Sequence, residues 1–164
     1  MMAILNLVFG PDPIFEQKAS KVTTFDNKLQ QKLSDMTDTL YHHKALGIGA
    51  NMLGILEQLV VVDIQESGKK QLYKLVNPEI TSFSDETSVM MEASLSFPGI
   101  KAKIKRPANI ELIYYDEFGV KKNMSAAGLL ARVIQHEIDY LNGKTFLDYL
   151  SPTKRKMLIL KIKR

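Results

Sequence analysis

The chain has no cysteine among its 164 residues, which excludes disulfides, thiolate-held zinc and cysteine nucleophiles together. It also lacks any apolar run near the ~20 residues needed to cross a bilayer, so no membrane partner is expected. Met1 to Phe9 carries no basic stretch leading into a cleavable apolar segment, and a cytoplasmic location is the expectation. No internal repeat, low-complexity tract or linker divides the sequence, so one domain spanning 1–164 is expected. A chain of this length buries about two thirds of the surface its unfolded form exposes.

Neither sign of charge dominates: the net is only +4, and the placement of the excess cations matters more than their number. Lys154, Arg155, Lys156, Lys161, Lys163 and Arg164 crowd the last segment. Such a run reads as the solvated face of a terminal helix or as a contact for an acidic surface such as ribosomal RNA. DNA is not expected as a partner.

What is present is patterned for a mixed fold. Leu29, Leu33, Met36 and Leu40 recur at spacings of four, three and four, which predicts a helix over 26–43. The β-branched run 59–64 predicts a strand, followed by further strands over 72–77, 80–89, 101–106 and 109–116, with Pro78, Pro98-Gly99 and Pro107 as punctuation. Ala126, Leu130, Val133, Ile134, Ile138 and Leu141 then return to helical spacing over 125–141, and Asn142-Gly143 supplies a stop. A last amphipathic segment covers 153–164. Helix, several strands, then helix is the order of an α+β fold, not of alternating βαβ units.

The second helix contains Gln135-His136-Glu137-Ile138-Asp139-Tyr140-Leu141, one residue from the His-Glu-x-x-His signature. In that signature two imidazoles four residues apart share a helix face and hold one metal, while the Glu serves as general base on metal-bound water. Here Tyr140 stands in the second imidazole's position.

Four segments, in order and at similar spacing, resemble the peptide deformylase family. They are Pro11-Asp12-Pro13; Val76-Asn77-Pro78-Glu79-Ile80; Glu92-Ala93-Ser94-Leu95-Ser96-Phe97-Pro98-Gly99 with Arg106-Pro107; and Gln135 to Gly143 continuing to Leu150-Ser151-Pro152. The resemblance implies a deformylase-like fold with antiparallel sheets around a central helix carrying His136 and Glu137. It implies an amide hydrolase acting on formyl-methionyl peptides with a divalent metal such as iron or zinc. It places the metal-ligand positions at Ser94, His136 and Tyr140, the general base at Glu137, a backbone amide donor at Leu95, an ion pair between Glu92 and Arg106, and a peptide-binding cleft along Gly47, Ile48, Gly49, Glu92 and Ala93.

The departures from that pattern fall on the chemistry. Ser94 occupies the position of the family's cysteine ligand, and a neutral hydroxyl is a poor ligand for a borderline-soft metal. Tyr140 would bind only as phenolate, and ionising it at pH 7 costs about 4 kcal/mol against a reference pKa of ~10. Aligned without gaps from Leu53-Gly54, Met52 takes the place of the glutamine that donates to the oxyanion in the family, and Met offers no donor. Anchoring on Gly47-Ile48-Gly49 instead shifts the register by two and still brings no glutamine there.

The expectation is therefore a deformylase-like protein without metal-dependent deformylation and with no required cofactor, binding formyl-methionyl or other peptide N termini. The alternative is residual or altered hydrolysis, through an unusual metal site or a Ser94–His136 dyad. Three lesser readings accompany these. One of His42 and His43 could join His136 in a replacement metal site or simply end a helix. His136 could be a packed core histidine. Met90, Met91 and Met52 could line a methionine pocket or fill the core.

Overall fold

The computed structural model describes residues 3–162. Three helices, α1 (Asn27–His42), α2 (Gly128–Leu141) and α3 (Pro152–Ile162), accompany seven strands: β1 (Gly47–Gly49), β2 (Leu59–Val62), β3 (Tyr73–Phe83), β4 (Thr87–Ser94), β5 (Phe97–Pro107), β6 (Asn109–Tyr115) and β7 (Lys121–Ala127). Five strands form one antiparallel sheet in the order β1-β2-β3-β6-β7, and β4 with β5 forms a separate antiparallel hairpin. This is the expected α+β architecture. No helix among the described residues is long and apolar enough to cross a membrane.

α1 starts where Asp26 accepts a hydrogen bond from the Leu29 amide at 3.0 Å, satisfying one of the donors that a helix start leaves open. Its stripe of Leu29, Leu33, Met36 and Leu40 is buried in one core with the inner face of the hairpin, including Ile100, Ala102 and Ile104. α2 serves a second core. Its residues Ala131, Ile134, Ile138 and Leu141, spaced three, four and three, pack on Val60, Val62, Leu75 and Leu112 of the sheet. That spacing covers one side of the helix, so His136 and Tyr140 are left to face the hairpin. α2 thus lies between both cores, and the site sits on its hairpin side.

Several boundaries differ from expectation. α2 begins at Gly128 and not at 125, because Lys121 to Ala127 pairs with β6 as an edge strand that has no apolar alternation to announce it. Pro78 does not end a strand. β3 runs through it at a bulge between Val76 and Glu79, beyond the point where β2 ceases to pair, so the missing N–H leaves no β2 acceptor wanting. Asn77 adopts a left-handed φ of 50°, and its side chain clamps Val22 in both directions, accepting from the amide and donating to the carbonyl at 2.8 Å each. The span expected as one strand, 80–89, is the end of β3, a turn, and the start of β4; Pro98-Gly99 lies inside β5, the turn falling at Leu95-Ser96. Of the basic tail, Lys163 and Arg164 lie outside the described residues, as do Met1 and Met2 at the other end.

Candidate functional site

Glu92, on β4 and only 5% exposed, is the hub on which the site is assembled. Arg106 reaches it from β5 with both prongs, Nε to Oε2 at 2.6 Å and Nη2 to Oε1 at 2.9 Å. Arg132 donates to the same carboxylate from α2, and His136 Nδ1 lies 2.8 Å from Oε1. Burial opposes ionisation of Glu92, but hydrogen bonds from Arg106 and His136, with the Arg106 charge, outweigh it and hold the carboxyl at about 2. An ionised acceptor at Oε1 assigns the His136 proton to Nδ1 and leaves Nε2 with its lone pair. Arg106 is anchored further by Asp139 at 2.8 Å, which also accepts from the Tyr149 hydroxyl at 2.7 Å.

One turn along α2, the Tyr140 hydroxyl donates to Ser94 Oγ at 2.6 Å, and the Ser96 amide donates to the same oxygen at 3.2 Å. Burial, with the Glu137 and Glu92 carboxylates adding to it, lifts the Tyr140 phenol well above its ordinary value, so it is a neutral hydroxyl. The Ser94–His136 hydrogen bond that a dyad requires does not form, because each side chain has taken another partner: Tyr140 for Ser94 and Glu92 for His136.

Glu137 is 2% exposed, and its Oε2 has no hydrogen-bond partner among the described residues. Oε1 lies 4.0 Å from His136 Nε2, too far for a hydrogen bond, and Tyr140 has turned to Ser94. Neither partner expected for a buried Glu137 is thus bonded to it. Burial pushes its carboxyl up to about 7.

These groups open onto a cleft of about 410 Å³, bordered by Leu46, Gly47, Met52, Met90, Met91, Glu92, Ala93, Ser94, Leu95, Leu129, Arg132, Val133, His136 and Glu137 among others. Gly47 is required at the cleft wall, since a Cβ there would stand 2.6 Å from Val133 Cγ1 and 3.1 Å from Glu137 Cγ. Met52 is 1% exposed, and its sulfur accepts from the Gly49 amide at 3.4 Å, so an acceptor occupies the place assigned to a donor. Ile48 does not line the cleft: alternation along β1 points it into the core, fully buried. Gly49 likewise stands behind the cleft, near the Tyr140 backbone end. Met90 and Met91, successive and expected on opposite faces, both border the opening, because β4 is a hairpin edge. His43 lies at the rim, whereas His42 stacks edge-on against it. Among the described residues no three His, Asp or Glu side chains gather as a metal-binding group.

Arg132 was absent from the sequence reading. The one available signal was its position four residues before His136, which puts both on one helix face. Asp139 and Tyr149 were missed too, since their link to Arg106 joins segments far apart in the chain.

An α+β domain of antiparallel sheets, with a His-Glu helix held against a hairpin beside a glycine-edged cleft, is the arrangement this chain shares with a family of hydrolase fold. The family model for polypeptide deformylase matches residues 4–156, and the chain belongs to that family. It is 45% identical over 157 residues to a peptide deformylase-like protein of Rickettsia conorii, covering 96% of this chain and 86% of that one. The peptide deformylase of Brucella suis is 38% identical over 164 residues, covering 99% and 94%. Among solved structures, a peptide deformylase from Ehrlichia chaffeensis in complex with actinonin superposes with a TM-score of 0.94 at 34% identity, covering 99% of this chain and 97% of that one.

Proposed function

We propose that this chain has lost metal-dependent removal of the N-terminal formyl group and uses the family's cleft to bind peptide N termini, a pseudoenzyme within the deformylase family. The carrying observation is the Tyr140–Ser94 hydrogen bond, which ties together two of the three family ligand positions as neutral hydroxyls. Only His136 Nε2 remains as an effective donor, and catalytic zinc sites normally have three protein ligands. The residues present do not fit the family's divalent metal.

Met52 supports the same reading, because losing an oxyanion donor typically costs about 10²–10³ in rate. A cytoplasmic location follows from this role, and the cations of α3, Lys154, Arg155, Lys156 and Lys161, would meet an acidic surface such as the ribosome. Metal analysis together with formate release from formyl-Met-Ala tests the proposal. The expected result is substoichiometric metal and no turnover; stoichiometric zinc, iron or nickel with turnover abolished by Glu137→Gln overturns it.

The second reading is residual deformylation, favoured by relatives that are named peptide deformylase and by Glu137 standing in the cleft. It predicts turnover dependent on added metal. A Ser94-dependent hydrolase predicts metal-free turnover lost in Ser94→Ala, and its serine lacks the base at hydrogen-bond range that such chemistry needs.

A further inference from the structure

We infer that the group this cleft selects is a protonated primary amine, the free α-amino terminus of a peptide with an apolar first residue, held between Glu137 and His136. The inference rests on the reading that no metal occupies the site, and it names the ligand class that reading leaves open.

Glu137 presents a carboxyl group that is 2% exposed, with Oε2 unpartnered, on the wall of the cleft, where an arriving cation would favour its ionised form. A buried carboxylate without a partner is unfavourable unless a cation reaches it. His136 supplies a second acceptor, because its Nδ1 proton is given to Glu92 and Nε2 is left with a lone pair. The two acceptors, Glu137 Oε1 and His136 Nε2, are 4.0 Å apart. A nitrogen placed ~2.85 Å from both subtends an angle of roughly 90° between them, close to the spread of two N–H bonds on an ammonium. A formamide fits poorly between these two acceptors, since its secondary nitrogen has a single N–H to give and its oxygen has none, whereas an ammonium has three.

The rest of a peptide N terminus is also provided for. Ser94 Oγ accepts from Tyr140 and from the Ser96 amide, which leaves its own proton for a ligand carbonyl. Leu46, Leu129, Val133, Met90 and Met91 give the opening aliphatic walls for the first side chain. Flexible thioethers there tolerate more than one shape.

The test is calorimetric titration of the full chain, stripped of metal by chelator, with Met-Ala-Ser, formyl-Met-Ala-Ser, acetyl-Met-Ala-Ser and acetyl-lysine amide. Met-Ala-Ser is expected to bind at least tenfold more tightly than either blocked peptide, and acetyl-lysine amide, whose amine lacks an adjacent peptide, no better than they do. Glu137→Gln keeps the shape and removes the charge, and should weaken Met-Ala-Ser roughly 10- to 100-fold while leaving the blocked peptides within about threefold. A circular-dichroism melt of that variant confirms that it is folded. Equal or tighter binding of the formyl peptide, binding of none of the peptides, or indifference of Met-Ala-Ser to Glu137→Gln overturns the inference. Formate assayed in parallel on the protein as purified and with added zinc or iron separates the two failures: formate release defeats the loss of deformylation, whereas its absence with formyl preference defeats only the amine.

Discussion

The Tyr140 hydroxyl donates to Ser94 Oγ across 2.6 Å, so the side chains at two of the family's ligand positions complete each other. The phenol proton thereby has its acceptor inside the site. Reversing one substitution alone should therefore do little. Ser94→Cys leaves a bulky neutral phenol beside the thiol, and Tyr140→His leaves a serine as third ligand. We expect both single variants to bind cobalt weakly and the double variant to bind one equivalent, with cobalt absorption as the readout. Formate release from formyl-Met-Ala should appear only in the double variant and rise further, by about 10²–10³, when Met52→Gln restores a donor. One equivalent of cobalt in the unaltered protein would sink this expectation.

Glu137 sets a pH dependence of stability whose sign is opposite to that of most carboxylates. Its folded pKa is raised from the ordinary 4.5 to about 7 by burial, so between those values the folded state binds the proton that the unfolded chain has released. Stability from this group is complete below about 4.5, falls as pH rises, and levels off above about 7. The slope in that window is about 1.4 kcal/mol per pH unit for one proton. Glu137→Gln should be nearly matched to the unaltered protein at acid pH and increasingly more stable through neutrality, as seen in urea unfolding at a series of pH values. A difference between the two that is flat with pH would show that the carboxyl is not held neutral.

Glu92 acts in the opposite sense. Its folded pKa of about 2 lies below the unfolded value, so its contribution is present above about 4.5 and is lost as pH falls toward 2. Glu92→Gln keeps the shape but strands Arg106, 2% exposed, and Arg132, 5% exposed, without their common counter-charge. Breaking a buried pair from one side typically costs about 3–5 kcal/mol, and here Asp139 still holds one prong of Arg106. We expect a loss near the lower end, and a larger one in Glu92→Gln/Asp139→Asn than the two single changes predict by addition. Urea unfolding of the four proteins measures that coupling, and strict additivity would mean that Arg106 is not shared between them.

The contrast between these two glutamates was out of reach from the sequence, where both are simply acidic residues in matched motifs. Periodicity made α1 readable through Leu29 to Leu40 and the core face of α2 in part, through Ile134, Ile138 and Leu141, whereas Ala126 falls in β7 and Leu130 and Val133 are only half-buried beside the core residue Ala131. β7 was not readable, since an exposed edge strand composed of Lys121-Lys122-Asn123-Met124-Ser125-Ala126-Ala127 needs no apolar alternation; its pairing comes from β6. The identities at Ser94, Tyr140 and Met52 could be read by resemblance. Their partners could not, because whether Ser94 turns to His136 or to Tyr140 depends on Glu92 having already taken the imidazole.

Gly47 offers a test of the cleft that removes no polar group. A methyl added there would stand 2.6 Å from Val133 Cγ1, below any ordinary contact, and 3.1 Å from Glu137 Cγ. β1 is pinned to β2 through Gly47↔Val62, Ile48↔Val61 and Gly49↔Val60, so the strand cannot simply retreat. Overpacking of this kind costs about 1–3 kcal/mol. Gly47→Ala should therefore lower stability by that amount and weaken peptide binding by pushing Val133 and Glu137 into the opening. Val133→Ala vacates the offending methyl, so the double variant should recover most of the stability. If Gly47→Ala is as stable as the unaltered chain, or if Val133→Ala gives no relief, β1 and α2 are not packed as closely as their contact requires.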